Sequence, residues 1–358
     1  MFTDIRLQKY RSYEDESYEF GDGVNIVVGP NASGKTNLLE ALYIASLGRS
    51  FRAKDSELIA FGSSWARIDA NNDANNQRTT KIITQPNGAT HKEFIINNQK
   101  LVRMTPKHAI PVVLFEPNHL TLLHGSPEYR REYLDDLLER IVTGYGKIRR
   151  EYRRILSQRN TLLKASKADQ LFAWNVRLSE VGAKIAEQRY VYTREINQQL
   201  GDMYRRIARS GSTRIQINYI NSCGCDDISQ YGTKLLRMLE NCQNVDLERG
   251  HTTVGPHRED IIISYNERGA SEVASRGEIR TILLTLKIIE LQLLEDANNQ
   301  KPIFLLDDVF SELDGSRRKA LTENINDHQT FITTTDADIV VQHFLDKHKI
   351  IACQRKLS

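Results

Sequence analysis

Pro302-Ile-Phe-Leu-Leu-Asp307-Asp308-Val-Phe-Ser311-Glu312-Leu313-Asp314 is the stretch that decides the fold. Its apolar run, Ile303 to Leu306, lies between a proline and two acids and is short, which predicts a buried strand. A strand that closes on Asp307 presents that carboxylate at its carboxyl edge, where open α/β sheets bind their ligands. The matching half is far upstream. Gly29-Pro30-Asn31-Ala32-Ser33-Gly34-Lys35-Thr36 has the G-x-x-x-x-G-K-[ST] form of a phosphate loop. Val24–Val28 before it reads as a strand, and Asn37-Leu-Leu-Glu-Ala-Leu-Tyr43 after it reads as a helix, the context such a loop requires. Between Lys35 and Asp307 lie 271 residues. One crossover unit needs far fewer, so an insertion separates the two halves of the site.

Each residue has an assigned chemistry. Backbone N–H groups from Asn31 to Thr36 form a nest for a β-phosphate, reinforced by the positive end of the following helix. Lys35 neutralises β- and γ-oxygens, and the Thr36 hydroxyl ligates Mg²⁺. Asp307 is expected to meet Mg²⁺ directly or through an intervening ligand, and Asp308 to polarise the attacking water. The plain structural alternatives are a glycine turn at 29–36 and a loop start at 307–308. The two motifs together favour the nucleotide.

Bulk properties fit a protein of one large body plus a second lobe: 358 residues, 40% hydrophobic, mean hydropathy −0.48. No apolar run approaches the roughly 18–20 residues of a membrane span. Met1-Phe-Thr-Asp4-Ile-Arg6 lacks signal-peptide character, so a cytoplasmic location without a membrane partner is expected. Cys223, Cys225 and Cys242 lack the spacing of a zinc site and are read as free thiols. Net charge is only +3, yet residues 126–210 hold 18 Lys/Arg against 11 Asp/Glu. Arg149, Arg150, Arg153, Arg154 and Arg159 fall in the densest basic run. They are the candidates for contact with a polyanion, the alternative being a solvated helix face.

Short β-like runs fill the first 115 residues: Ile5–Leu7, Tyr18–Phe20, Val24–Val28, Ala66–Ala70, Lys81–Thr84, Glu93–Ile96 and Val112–Phe115. The period then changes. Ser126-Pro127-Glu128 starts a helical stripe that includes Tyr133, Leu137, Ile141, Tyr145, Tyr152 and Ile155. A second helical segment runs from Leu171 to Ala208, with Gly211 as its stop, and together they predict an antiparallel hairpin arm. The α/β signal returns at Arg214–Ile220, Asp260–Tyr265, the helix Ile279–Glu295 and the strand Phe331–Thr334. The expected division is therefore a discontinuous α/β head, 1–125 and 211–358, with a helical arm at 126–210. Ser275-Arg276-Gly277-Glu278 opens the helix and on its own is a capping box.

The order of phosphate loop, long insert, S-x-G-x helix start, acid strand and S-x-L-D resembles the ABC-type ATPase heads of the SMC family. Further blocks narrow the resemblance to the RecF family of bacterial recombination mediators. They are Pro117-Asn-His-Leu-Thr-Leu-Leu-His-Gly125, Ser126-Pro-Glu-Tyr-Arg130-Arg131-Glu-Tyr-Leu-Asp135, Gly255-Pro-His-Arg258 and Ser275-Arg-Gly-Glu-Ile-Arg280-Thr281. The resemblance implies an ABC-type α/β head with an antiparallel β subdomain, a phosphate-loop core and a helical insertion. It implies ATP and Mg²⁺ as ligands, with Ser275, Arg276, Gly277 and Glu278 reaching the partner's nucleotide. Ser311 and Asp314 would communicate across a homodimer, and Thr335 would sense the γ-phosphate. It further implies slow, DNA-stimulated ATP hydrolysis, dimerisation on duplex and gapped DNA, and cooperation with RecR and RecO in loading RecA. A non-hydrolysing ATP-dependent scaffold and a transporter-type ATPase subunit are the competing readings. Three departures stand out: Ala32 replaces a usual glycine, Arg276 a second signature glycine, and Glu278 a glutamine.

Overall fold

The computed structural model describes residues 1–73, 76–209, 212–310, 313–325, 327–344 and 348–353. They form two compact units, Met1–His119 with Glu290–Ser358, and Leu120–Ile289. The expected arm lies inside the second unit, but that unit is larger, because the chain from 212 to 289 groups with the helices instead of with the head.

In chain order the first unit begins with β1 (Phe2–Tyr10), β2 (Tyr13–Glu19), β3 (Val24–Val28), α1 (Lys35–Leu47), β4 (Trp65–Asn72), β5 (Gln77–Thr84), β6 (Thr90–Ile96), β7 (Gln99–Leu101) and β8 (Val112–Phe115). The second unit follows with α2 (Thr121–His124), α3 (Pro127–Ile141), α4 (Tyr145–Lys164), α5 (Leu171–Ala208), β9 (Ile215–Ile220), α6 (Tyr231–Asn241), α7 (Gln243–Arg249), β10 (Asp260–Tyr265), β11 (Arg268–Gly269) and α8 (Ala270–Val273). Helix α9 (Arg276–Asn298) crosses the boundary between units. The chain then completes the first unit with β12 (Ile303–Leu306), α10 (Gly315–Ile325), β13 (Thr330–Thr334), α11 (Ala337–Val341) and β14 (His348–Ala352).

The first unit holds two sheets. One is parallel throughout, in the order β14-β3-β13-β12-β8. The other is antiparallel, β2-β1-β4-β5-β6-β7. Helix α1 packs on β4 and β5 of one sheet and on β8 and β13 of the other. That explains its composition: Leu38, Leu39, Ala41, Leu42, Ile44 and Ala45 are buried on every side of the helix, not along one stripe. Each such leucine stabilises the unit by about 2 kcal/mol through burial. Buried polar groups join the layers. The Gln329 amide accepts from Phe2 N at 2.7 Å and donates to the Phe2 and Gly21 carbonyls at 2.7 and 2.9 Å. Because β3, β12 and β13 are parallel, their carboxyl ends share one edge, and the phosphate loop and Asp307 both emerge there.

In the second unit α4 and α5 form the expected hairpin, and α5 also packs on α6 and β9. Strands β9, β10 and β11 make a small antiparallel sheet. The stripe read as one helix from Ser126 is two. Val142 is extended and Gly144 adopts φ 89°, a left-handed conformation that glycine tolerates and that ends α3 before α4 begins. Gly211 lies outside the described residues. No helix among the described residues is long and apolar enough to cross a membrane.

Candidate nucleotide site

The loop between β3 and α1 is wound tightly. Gly34 sits at φ 104°, and a side chain there would meet the Tyr13 hydroxyl at 2.9 Å. Gly29 is equally constrained: an added Cβ would lie 2.4 Å from the Cys353 carbonyl and 2.5 Å from Ser33 Oγ. Ala32 takes φ 64°, so the residue that replaces a usual glycine does adopt a backbone conformation glycine favours. That costs about 1–2 kcal/mol for an L-residue. Helix α1 starts with no side-chain cap, which leaves its first N–H groups directed into the loop. Lys35 is buried and donates through Nζ to the Gly29 and Pro30 carbonyls at 2.9 and 3.2 Å.

The distant acid arrives where the sequence places it. Thr36 Oγ1 donates to Asp307 Oδ1 at 2.9 Å across a separation of 271 residues. Thr333, on β13 between them in the sheet, donates to the same oxygen at 2.9 Å and accepts from Asp308 N at 2.8 Å. Burial pushes the Asp307 carboxyl above its usual range, the Thr333 and Thr36 hydroxyls pull it down in part, and the charge of Asp308 raises it further. Asp308 stands at φ 52°, a strained position of the kind that concentrates at functional sites. The residues fit a triphosphate with a hard divalent cation. Two oxygen donors are held together, a lysine and a row of N–H groups face the same loop, and the buried Ser33 Oγ has no protein partner among the described residues.

Some contributors carry no motif. Arg52 bonds Asn37 Oδ1 at 2.6 Å and Glu40, and its charge lowers the Asp307 carboxyl. Ser12 accepts from Asn37 at 3.0 Å, which brings the β1–β2 turn against the start of α1. Thr335 is exposed just beyond β13, while Thr334 beside it is buried and its carbonyl accepts from Gly29 N at 3.3 Å.

Ser275, Arg276, Gly277 and Glu278 belong to the second unit. The capping box is real. Glu278 Oε2 accepts from Ser275 N at 2.7 Å, Ser275 Oγ accepts from Glu278 N at 3.3 Å, and the Tyr265 hydroxyl also donates to Glu278. Ser311 lies outside the described residues. Asp314 accepts from Arg317 N and the Ser316 hydroxyl at 2.9 and 2.8 Å, as a helix cap does.

The basic run divides. Arg150, Arg153 and Arg154 are exposed on α4. Arg149 is tied to Glu139 and Asp135 at 2.7 and 3.2 Å. Arg159 is a correction: it is fully buried, paired with buried Asp246 at 2.7 Å and bonded to Asn175 and Thr252, so it presents no surface to a polyanion. Its sequence signal was its place on the stripe Tyr152, Ile155, Arg159, Leu163, all buried.

A parallel sheet with a phosphate loop, an acid strand beside it, a packed antiparallel sheet and a helical insertion defines an ABC-type ATPase head of the SMC kind. A family profile described as the RecF/RecN/SMC N terminal domain matches residues 1–356. The chain belongs to the RecF family. It is 33% identical over 359 residues to the DNA replication and repair protein RecF of Bacillus cytotoxicus, covering 98% of this chain and 95% of that protein. It is 34% identical to RecF of Alkaliphilus oremlandii, covering 93% and 92%. A solved structure of the recombination mediator protein RecF with ATP in the RecFOR pathway superposes with a TM-score of 0.82 at 32% identity, covering 94% of this chain and 92% of that one. An Smc head bound to the C-winged helix domain of ScpA shares the fold, with a TM-score of 0.57 at 15% identity.

Proposed function

We propose that the chain is an ATP-dependent DNA-binding switch of recombinational and replication-gap repair, acting in the cytoplasm with RecR and RecO to help load RecA. The observation that carries this reading is the bond between Thr36 and Asp307, which closes one nucleotide site from two distant segments. Support also comes from relatives named DNA replication and repair proteins and from an ATP-bound recombination mediator of matching fold.

Lys35 and the N–H groups of residues 31–36 hold the β- and γ-phosphates. Thr36 and Asp307 would hold Mg²⁺, which would supply neutralisation of phosphate charge. Asp308 accepts the proton of the attacking water, and Thr333 fixes the acids against each other. Ser275 and Gly277 of a second copy contact the γ-phosphate, so ATP joins two heads through a two-fold interface and hydrolysis releases them. Arg150, Arg153 and Arg154 contact duplex phosphates, giving binding with little base preference and a steep salt dependence.

The test is ATP turnover with and without duplex DNA for the wild type and Asp308→Asn. DNA-stimulated turnover in the wild type that falls about 100-fold or more in the variant is expected for loss of a general base. Equal rates would favour the non-hydrolysing scaffold, a reading that the acid Glu278 at the signature keeps specific.

A further inference from the structure

Two of the sequence blocks that the nucleotide site does not use, Ser126–Asp135 and Gly255–Arg258, converge on one cavity of about 260 Å³ in the second unit. Arg131, Arg149, Arg153 and Arg189 line it together with Tyr152 and His257. The acids that face it are Asp135, Glu128 and Glu132. Asp135 is saturated: it accepts from Arg189 Nε and Nη2, both at 2.9 Å, and from Tyr145 Oη at 2.7 Å, with Arg149 at 3.2 Å. Glu128 and Glu132 are exposed, so water screens them.

Arg131 is the anomaly. It is half-buried, beside Arg189, and among the described residues its hydrogen bond is from Nη1 to the Glu259 carbonyl at 2.5 Å. Among the described residues no carboxylate lies within ion-pair distance of it. Burial and the neighbouring Arg189 charge depress its pKa, and the charges of Asp260, Glu128 and Asp135, none of them in an ion pair with it, offset that only in part. Arg153, on the same wall, is exposed and has no partner among the described residues. His257 adds no charge. Tyr152 donates to its Nδ1 at 2.8 Å and its Nε2 donates to the Thr252 carbonyl at 3.2 Å, and burial pushes its pKa down to about 4. The cavity therefore offers a half-buried guanidinium held in no ion pair among the described residues, a second, exposed one and a neutral imidazole at neutral pH. Planar guanidinium groups with free N–H donors match the oxygens of a phosphate.

We propose that this cavity is a phosphate-binding site centred on Arg131 and completed by Arg153. The phosphate comes from a DNA backbone or from a free phosphate compound, and the site rests on the DNA reading above only for the first of these sources.

The test uses the full chain carrying Lys35→Ala, which silences the phosphate loop, with inorganic pyrophosphate as the probe in calorimetric titration. Adding Arg131→Gln should weaken pyrophosphate binding at least tenfold, adding Arg153→Gln several-fold, and Glu128→Gln with Glu132→Gln should tighten it. Unchanged affinity in both arginine variants, or no binding of pyrophosphate by the parent, would overturn the site. Should Arg131→Gln fail to fold, Arg153→Gln carries the decision, since its exposed side chain holds no other group in place. Duplex DNA supplies the second arm, measured with ATP present and with Lys35 intact. A salt slope lower by about one unit in Arg131→Gln identifies DNA as the source. Lost pyrophosphate binding with duplex binding unchanged identifies a free phosphate compound and leaves the DNA reading intact. Pyrophosphate binding by the Lys35→Ala parent, with no duplex binding by the Lys35 chain in the presence of ATP, sustains the site and sinks the DNA reading.

Discussion

Asp307 shows how one side chain trades stability for chemistry. Its carboxyl is held above the usual range because burial opposes its charge more than Thr36 and Thr333 support it. A carboxyl whose folded pKa is raised binds its proton more tightly in the folded state. Its stabilising contribution is therefore complete below the unfolded pKa of about 4 and is lost as pH rises through the raised folded value. At neutral pH the ionised group is a net cost to the apo fold. Asp307→Asn keeps the shape and removes the charge. The apo protein should then melt about 1–2 °C higher at pH 7, with the gain shrinking toward pH 4, while Mg²⁺-dependent ATP turnover is lost. Scanning calorimetry at the two pH values, paired with turnover, checks this; an apo variant that melts lower at pH 7 would contradict it. Asp307, Asp308 and the phosphate loop were legible because each sits in a contiguous motif whose neighbours fix its geometry. Thr333 and Arg52 were not. Their roles exist only once β13 lies between β3 and β12 and once Arg52 meets Glu40, relations that no local spacing carries.

Helix α4 places charged residues of opposite purpose one turn apart. Arg150, Arg153 and Arg154 face solvent, whereas Arg159 follows Tyr152 and Ile155 onto the buried side. Composition cannot separate them, but periodicity can, since Arg159 occupies an apolar-stripe position. Helix α5 kept the bounds read from the sequence, Leu171–Ala208, because its stripe is continuous and its start follows a polar break. The α3–α4 junction escaped because Gly144 interrupts the stripe without removing an apolar residue from it. The two sets of arginines should respond differently to substitution. Arg159→Met leaves Asp246 buried and unpaired, and should cost about 3–5 kcal/mol in urea unfolding followed by circular dichroism. Arg150→Glu with Arg154→Glu should change stability by about 1 kcal/mol at most. The same double change should weaken duplex binding and lower its salt slope by about two units. A stable Arg159→Met would show that Asp246 finds another partner; undiminished DNA binding in the double variant would move the duplex off α4.

At the scale of the whole molecule, the nucleotide loop and the signature stand in different units of one chain, and in the proposed switch a second copy supplies the signature to each site. The departure at Glu278 then has a definite sign. Its carboxylate caps α9 by accepting from Ser275 N at 2.7 Å and is held by Tyr265. Capping stabilises the helix start, yet it sets a negative charge where a partner's γ-phosphate would approach the same N–H groups. Glutamine retains an acceptor for Ser275 N and removes the charge. Glu278→Gln should therefore tighten the ATP-dependent dimer about tenfold, or about 1.4 kcal/mol, with little change in the melting temperature of the monomer. Sedimentation velocity across a concentration series, with ATP in the Asp308→Asn background to prevent turnover, reads the dimer constant directly. Raising the salt concentration should narrow the difference between the two proteins, because the repulsion being removed is electrostatic. An equal dimer constant in both would place the Glu278 carboxylate away from the shared phosphate, and the signature helix would then serve this chain as a capped structural element.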